Sequence, residues 1–326
     1  MSRSRIGFLG TGWIGRHRMA AMLATGKVEA AAICDPSPQC ADEAAGLAPG
    51  AKLLPSLDAM LAENLDGIVI ATPSALHAEQ SIAALKRGIA VFCQKPLGRD
   101  AAEAQAVVAA AREADRLLSV DFSYRYTAGM QAIAGLIRGG ELGRVFAANL
   151  VFHNAYGPDK PWFYDRAQSG GGCVMDLGVH LIDLLLWLFD FPELDDVDAT
   201  LFASGVPVAC DVVEDYAAAR LTLGNGMLAQ LACSWRLHAG QEAAIEATFY
   251  GDRGAASLRN VDGSFYDFQA HRYHGTTTEV VVAGPDEWGG RAAAAWAERL
   301  ARDSGFDRSA ERLVDVARVI ERIYGS

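Results

Sequence analysis

The sequence is short of basic charge. Its 326 residues carry 29 Lys and Arg against 40 Asp and Glu, a formal net charge of −11 at pH 7. It therefore lacks the electropositive footprint that nucleic-acid and anionic-membrane binders show. It also lacks a long hydrophobic run. The longest strongly apolar segment, Leu184 to Phe191, is closed by Asp183 and Asp190 and falls short of the roughly 20 residues that span a bilayer. Near the N-terminus, Ile6–Gly10 runs into Arg16, His17 and Arg18, which leaves no apolar core for a signal peptide. Neither a membrane nor a nucleic acid is expected as partner, and the cytoplasm is the expected compartment. The six cysteines, at 34, 40, 93, 173, 210 and 233, contain no C-x-x-C and no paired metal spacing. They read as buried reduced thiols. No G-x-S-x-G is present, which removes the usual serine-hydrolase signature.

What is present is a globular composition, 51% hydrophobic and 21% charged, in a chain long enough for two domains. Over the first 120 or so residues, apolar runs of strand length (Ile6–Leu9, Ala30–Cys34, Gly67–Ala71, Ala90–Cys93, Leu117–Asp121) alternate with Ala-rich helical stretches. That alternation predicts a doubly wound parallel sheet, an α/β domain over 1–121. Beyond it the texture changes. A helix is predicted over Gly129–Arg138, a strand over Val145–His153, a loop over Asn154–Gly172 and a helix over Met175–Phe189. Strand-like segments follow at Asp196–Ala203, Asp215–Leu223, Met227–Arg236, Glu242–Tyr250 and Ala255–Arg259, and a last amphipathic helix at Ser309–Tyr324. Clustered strands predict an α+β domain over 122–326 with a mostly antiparallel sheet.

The first strand runs into Gly10-Thr-Gly12-Trp13-Ile14-Gly15, a G-x-G-x-x-G at a strand–helix join. Gly10 permits the tight turn, Gly12 leaves room for a pyrophosphate, and Gly15 lets helix and strand pack closely. The first N–H groups of the helix then face the phosphates. Asp35, 20 residues after Gly15 at the end of the second strand, can accept from the adenosine ribose hydroxyls. It would repel a 2′-phosphate, and no Arg follows within Pro36–Gln39. NAD is the expected cofactor and NADP the alternative. A plain Asp-Pro turn is the other reading of Asp35.

Thr72-Pro73 and His77 follow the strand ending at Ala71, and Gln94-Lys95-Pro96 follows the strand ending at Cys93. Both segments sit at carboxyl ends of parallel strands, where open α/β sheets bind ligands. Lys95 is a candidate catalytic residue, and Gln94 a candidate ribose contact. His77 either contacts the cofactor or caps a helix. Farther on, Gly170-Gly171-Gly172 leads to Asp176, His180 and Asp183. Asp176 and His180 are four apart and share a helix face, so His180 is a candidate general base tuned by a carboxylate. A structural ion pair, or a metal site with His153 as third ligand, are the rival readings, and no metal is expected. The glycines imply a backbone that must approach something closely. For a substrate, Tyr124, His153, Tyr156, Trp162, Asp176 and His180 are the candidate contacts, with Asn154, Lys160 and Tyr164 in the same aromatic loop.

Together these segments resemble the Gfo/Idh/MocA oxidoreductases, the relatives of glucose–fructose oxidoreductase and inositol dehydrogenase. GTGWIG resembles the family's N-terminal fingerprint, ATPSALHAE its T-P-x-x-x-H segment, CQKPL its E-K-P motif and GGGCVMDLGVHLID its G-G-G…D-x-G-x-H-x-x-D helix, in the same order. The resemblance implies a Rossmann domain joined to a domain with a large open sheet, usually in a dimer or tetramer. It implies hydride transfer between NAD(P) and a hydroxyl or carbonyl of a sugar, polyol or similar small molecule. NAD-dependent glycosidases and inactive NAD- or sugar-binding sensors are the alternatives within the family. It also assigns Lys95 to the motif lysine, and Asp176 and His180 to the motif's acid and histidine. One departure stands out: the family's glutamate before the lysine is Gln94 here.

An assembly expectation comes from the strands themselves. In the strand Met227–Arg236, Met227, Ala229, Leu231 and Cys233 alternate with Leu228, Gln230, Ala232 and Ser234, none of them charged, so both faces of the second sheet need cover. A homodimer, or a tetramer of such dimers, joined sheet to sheet is expected.

Overall fold

In a computed structural model, which describes residues 3–325, the chain forms two compact units. One runs to Ser123 and takes up Gly289–Val314; the other is Tyr124–Trp288 with the chain from Asp315 onward. The segment Gly289–Val314, placed in the second domain by sequence, thus groups with the first unit.

The first unit is built on six parallel strands: β1 (Ser4–Leu9), β2 (Val28–Cys34), β3 (Lys52–Leu53), β4 (Gly67–Ile70), β5 (Ala90–Cys93) and β6 (Leu118–Val120). Their order in the sheet is β3-β2-β1-β4-β5-β6. The order reverses between β1 and β4, which makes the carboxyl ends there the natural ligand crevice. β4 and β5 are buried at every position, as a sheet covered on both faces requires. Helices set in by side-chain caps: Ser37 accepts from the Cys40 N–H and Asp100 from the Glu103 N–H. The returning helix Arg291–Leu300 was not predicted. It lays Trp296 on this sheet, against Phe92 at 5.7 Å between ring centroids. A side chain at Gly67 would meet the Trp296 ring at 2.6 Å, so that glycine makes room for the indole.

The second unit holds one nine-stranded sheet: β7 (Val145–Asn154), β8 (Leu194–Ala203), β9 (Val206–Val208), β10 (Tyr216–Leu223), β11 (Leu228–Ser234), β12 (Ala243–Gly251), β13 (Ala255–Asn260), β14 (Phe268–His274) and β15 (Thr277–Val282). Its order is β15-β14-β13-β12-β7-β11-β10-β8-β9. Only β7 and β11 pair in parallel. The strands β9, β14 and β15 are not among those that the sequence predicts. β14 and β15 are polar strands closed by Gly275 at φ 55°, so their period-two signal is weak.

The helix Val179–Leu188 covers one face of this sheet and is buried at nine of ten positions. Alternate strand residues are buried, among them Leu150 and Phe152 of β7 and Leu231 and Cys233 of β11. The predicted helix Met175–Phe189 is in fact a π-helical turn, Val174–Gly178, followed by this α-helix. The helical run Arg166–Leu188 is long and apolar enough to cross a bilayer by composition alone, and 89% of its apolar window is buried inside the protein.

Candidate functional site

In the first unit, the glycine loop has three distinct constraints. Gly10 has φ 84°, and a Cβ there would lie 2.5 Å from the Ala71 carbonyl oxygen. A Cβ on Gly15 would lie 2.1 Å from the Gly10 carbonyl oxygen. A Cβ on Gly12 would meet no protein atom within 4 Å. The first two glycines are thus needed by the fold, and Gly12 is the one whose bareness serves a ligand. Gly12 is also the N-cap of the helix Trp13–Ala24 and supplies no side-chain cap, which leaves the helix start suited to a phosphate. Trp13 is exposed and Ile14 half-buried on that first turn. These residues fit a dinucleotide.

Asp35 has a second task beside the expected one. Its Oδ2 accepts from Thr11 N at 2.5 Å and Thr11 Oγ1 at 3.2 Å, and its Oδ1 from Ser37 N at 2.8 Å. The Asp-Pro turn and the loop brace are both present. A carboxylate has about four acceptor positions, so capacity for a ribose hydroxyl remains. One residue the sequence reading missed also reaches this loop: Arg16 donates to Thr11 O at 2.6 Å and pairs with Glu43 at 2.6 Å.

Thr72 and Pro73 lead into the helix Ser74–Lys86 at the strand end, with Thr72 Oγ1 donating to Gln80 Oε1 at 2.6 Å. His77 is corrected. It is buried, with Nδ1 2.6 Å from Pro96 O and Nε2 2.7 Å from Thr72 O. Both ring nitrogens are spent on the backbone, so His77 ties the Thr72 and Pro96 loops together and does not face a cofactor. Burial pushes its pKa down, with Lys95 adding to that, while the carbonyls pull it up. A neutral ring donates to one carbonyl, an imidazolium to both. Lys95 itself is half-buried, directly after β5.

Gln94 has a partner that sequence did not show. Its amide Nε2 donates to Asp121 Oδ2 at 2.6 Å, which leaves its carbonyl Oε1 as the group that can accept from a ribose hydroxyl.

In the second unit, the three glycines before Asp176 answer to protein and not to a ligand. Gly170 has φ 84° and ends the short helix Arg166–Ser169. A Cβ on Gly171 would lie 2.0 Å from Tyr324 Oη, and one on Gly172 1.9 Å from Glu214 O. The close approach is to Glu214, which is fully buried. Its carboxylate accepts from Gly172 N at 3.0 Å, Val174 N at 2.8 Å and Tyr324 Oη at 2.9 Å. Burial raises its pKa against these donors. It caps the start of the π-helical turn that carries Asp176.

Asp176 Oδ2 accepts from the Trp235 indole N–H at 3.0 Å. The shared-face argument for Asp176 and His180 assumed α-helical turns; the wider π turn re-aims Asp176, and π turns recur at functional sites. His180 is buried with its ring 4.8 Å from that of Tyr124 and 6.5 Å from that of Phe152. Tyr124, a candidate substrate contact, is also enclosed by Phe268 and Trp288. Asp183 does not join this group. It is buried in a two-point ion pair with Arg125, and Arg125 lies over the rings of Trp187 and Phe191.

His153 is removed from the candidates by strand alternation. Its neighbour Phe152 faces the His180 helix, and His153 points to the opposite face. There its Nδ1 sits 2.8 Å from Ser234 Oγ and its ring stacks on Tyr216. The aromatic loop keeps Tyr156, exposed with its hydroxyl 3.3 Å from Glu242 Oε1, and Trp162, stacked on Phe163 at 3.8 Å. Tyr164 accepts from Arg236 at 3.0 Å. Gly157 is required here, since a Cβ would lie 2.3 Å from Tyr164 Oη.

Neither Trp235 nor Glu214 belongs to a motif that sequence spacing exposes. Both reach the helix start from the sheet side, and no local pattern signals that.

Comparison with known proteins bears on the fold and the family. Among curated proteins, a D-glucoside 3-dehydrogenase of Escherichia coli (strain K12) is 25% identical over 292 residues, 85% of this chain and 81% of its own. The rhizopine catabolism protein MocA of Rhizobium meliloti is 29% identical over 280 residues, 82% of this chain and 86% of its own. Among solved structures, a levoglucosan dehydrogenase in complex with NADH and L-sorbose superposes with a TM-score of 0.84 at 21% identity, covering 100% of this chain and 97% of that one. The fold is therefore shared. Residues 4–122 match the model of the oxidoreductase family with an NAD-binding Rossmann fold, and residues 130–257 match the GFO/IDH/MocA C-terminal domain. Rossmann sheet, glycine loop, lysine segment and open second sheet thus lie in one order along one chain, which belongs to the Gfo/Idh/MocA family of oxidoreductases.

Proposed function

We propose that this chain transfers hydride between NAD(H) and a secondary hydroxyl of a sugar or polyol. The observation that carries the reading is the Trp235–Asp176 hydrogen bond at the head of the helix bearing His180, because it holds a carboxylate one turn from that histidine on a chain whose other unit is built for a dinucleotide. Gly12 and the first turn of the helix Trp13–Ala24 hold the pyrophosphate, and Asp35 the adenosine ribose. A bound nicotinamide supplies the hydride acceptor. His180 takes the proton of the substrate hydroxyl as general base, Lys95 stabilises the developing alkoxide, and Asp176 orients the His180 end of the helix. Tyr156 and Trp162 offer a hydroxyl and an apolar face, the mixture that suits a polyhydroxylated ring. The D-glucoside 3-dehydrogenase and the levoglucosan dehydrogenase named above act on sugar-type compounds by their names, which supports that substrate class.

The assembly reading is a homodimer or a tetramer of dimers through the second sheet. The face away from the helix carries Leu228, Gln230, Asn149, Val151, Glu246 and Tyr250 in register across three strands, with Arg220 beside Gln230, a mixed surface that a two-fold copy could cover.

The test is a panel of inositols, aldoses and sugar acids with NAD⁺, followed at the NADH absorbance band. Turnover of at least one polyol is expected. Release of an aglycone without net NADH would replace this reading with the glycosidase one, and tight NADH binding with no turnover on any compound would replace it with a sensor.

A further inference from the structure

Asp121 is 1% exposed, and Arg18 beside it 6%. Arg18 Nε donates to Asp121 Oδ2 at 2.5 Å, and Gln94 Nε2 donates to the same oxygen at 2.6 Å. Asp121 Oδ1 is buried and accepts from no donor among the described residues. The whole pairing of this buried carboxylate therefore rests on one oxygen and two side chains. The backbone anchors it at the strand ends. Asp121 N donates to Cys93 O at 2.9 Å and Gln94 N to Ile70 O at 2.8 Å, which places the carboxylate across β5 and β6 from the residue preceding Lys95. On the other side, Arg18 Nη1 lies 2.9 Å from His17 Nδ1, and the His17 ring stacks on Trp13 at 5.7 Å. Trp13 opens the glycine-loop helix. One continuous chain of contacts thus joins the cofactor-binding helix to the lysine segment.

A buried carboxylate tolerates burial only where donors or cations pair it. With Asp121 in place, a carboxylate at position 94 would set two acceptors at the contact now made by one N–H, and two like charges at that distance cannot both stay ionised. An amide at position 94 is what a carboxylate at position 121 demands. The two residues are one device divided between two strands.

We propose that Asp121 supplies the carboxylate of the lysine segment in this chain, that Gln94 is the donor that ties it there, and that the pair, with Arg18, is a positioning unit setting Lys95 relative to the cofactor-binding helix. Only the role of Lys95 rests on the proposed oxidoreductase reaction; the pairing itself does not.

A four-protein cycle tests it: wild type, Gln94→Glu, Asp121→Asn, and Gln94→Glu with Asp121→Asn. In the double variant amide and carboxylate change places. The new amide donates to the new carboxylate, and its carbonyl still accepts from Arg18. Each protein is melted without cofactor and titrated with NADH by fluorescence. Gln94→Glu is expected to lower Tm by roughly 5 °C or more and to weaken NADH binding about tenfold. The double variant is expected to recover at least half of both losses. The NADH titration is the reading that a purely structural pair would leave unmoved in folded protein. The proposal is overturned if Gln94→Glu melts and binds like wild type, if the losses of the two single variants simply add in the double, or if NADH affinity stays constant across the cycle. Should Gln94→Glu fail to fold, the double variant decides alone: folded and NADH-binding supports the pair, unfolded refutes it. A chain that passes this cycle yet oxidises no polyol loses the proposed reaction and keeps the pair.

Discussion

The indole N–H of Trp235, the residue just past the end of β11, donates to Asp176 Oδ2 at 3.0 Å on the π-helical turn before His180. This bond holds the Asp176 carboxylate in one orientation, and the proposed reaction places that carboxylate beside the general base. Trp235→Phe keeps the ring and removes the donor. It should lower kcat about tenfold, the value of one lost hydrogen bond in the transition state, with the Kd for NADH within a few-fold of wild type. Steady-state kinetics beside an NADH titration check it; an unchanged kcat would detach Trp235 from the chemistry.

The opposite facing of Phe152 and His153 gives a paired prediction. His180→Ala should reduce kcat by roughly 10²–10⁴-fold, whereas His153→Ala, on the far face of the sheet, should leave it within two-fold. The reverse ranking would mean that the general base has been misassigned.

Cofactor choice turns on Asp35. Wild type should bind NADH more tightly than NADPH. Asp35→Ser with Pro36→Arg should invert the order, by removing a repelling charge and adding a cation for the 2′-phosphate. Because Asp35 also accepts from the Thr11 and Ser37 N–H groups, NADH affinity should fall further than the loss of the ribose contact alone would give. Fluorescence titrations with both cofactors measure this, and NADPH preference in the wild type would contradict it.

Asp183 and Arg125 predict a pH-dependent stability. Burial pushes the Asp183 pKa from 3.8 up to about 6, against the pull of Arg125. The folded state therefore holds the proton more tightly than the unfolded chain, and this residue's contribution to stability falls as pH rises from about 3.8 to about 6, levelling off above. Arg125→Met removes the pull that lowers the pKa and leaves an unpaired buried charge at neutral pH. It should cost about 3–5 kcal/mol at pH 7.5 and distinctly less at pH 5, where a proton neutralises Asp183. Thermal melts at the two pH values compare directly; an equal loss at both would refute the ionised pair.

For assembly, light scattering at micromolar concentration should give a multiple of the 34.7 kDa chain mass. Gln230→Lys, on the face turned from the core helix, should dissociate the oligomer by placing like charges across a two-fold axis, with NADH binding retained. A single-chain mass for the wild type would end the sheet-to-sheet proposal.

By itself the sequence determined the parallel sheet, the glycine loop and the segments that carry Lys95, Asp176 and His180. Each is written in a local code: buried parallel strands as continuous apolar runs, a phosphate turn as glycines at fixed spacing, a strand end as a polar residue after an apolar run. Tertiary structure decided what those residues touch. His77 is closed off by two carbonyls from different loops, Gln94 is claimed by Asp121 just past the next strand, and Gly171 and Gly172 clear space for Tyr324 and Glu214. The return of Gly289–Val314 to the first unit and the polar strands β14 and β15 were likewise invisible. The partners lie from 5 residues away, as Thr72 does from His77, to 152 away, as Tyr324 does from Gly172, and no periodicity reports them. Hydrogen bonds and steric room are set by which elements meet, and that is fixed by the burial of the whole chain, not by the pattern of any one segment.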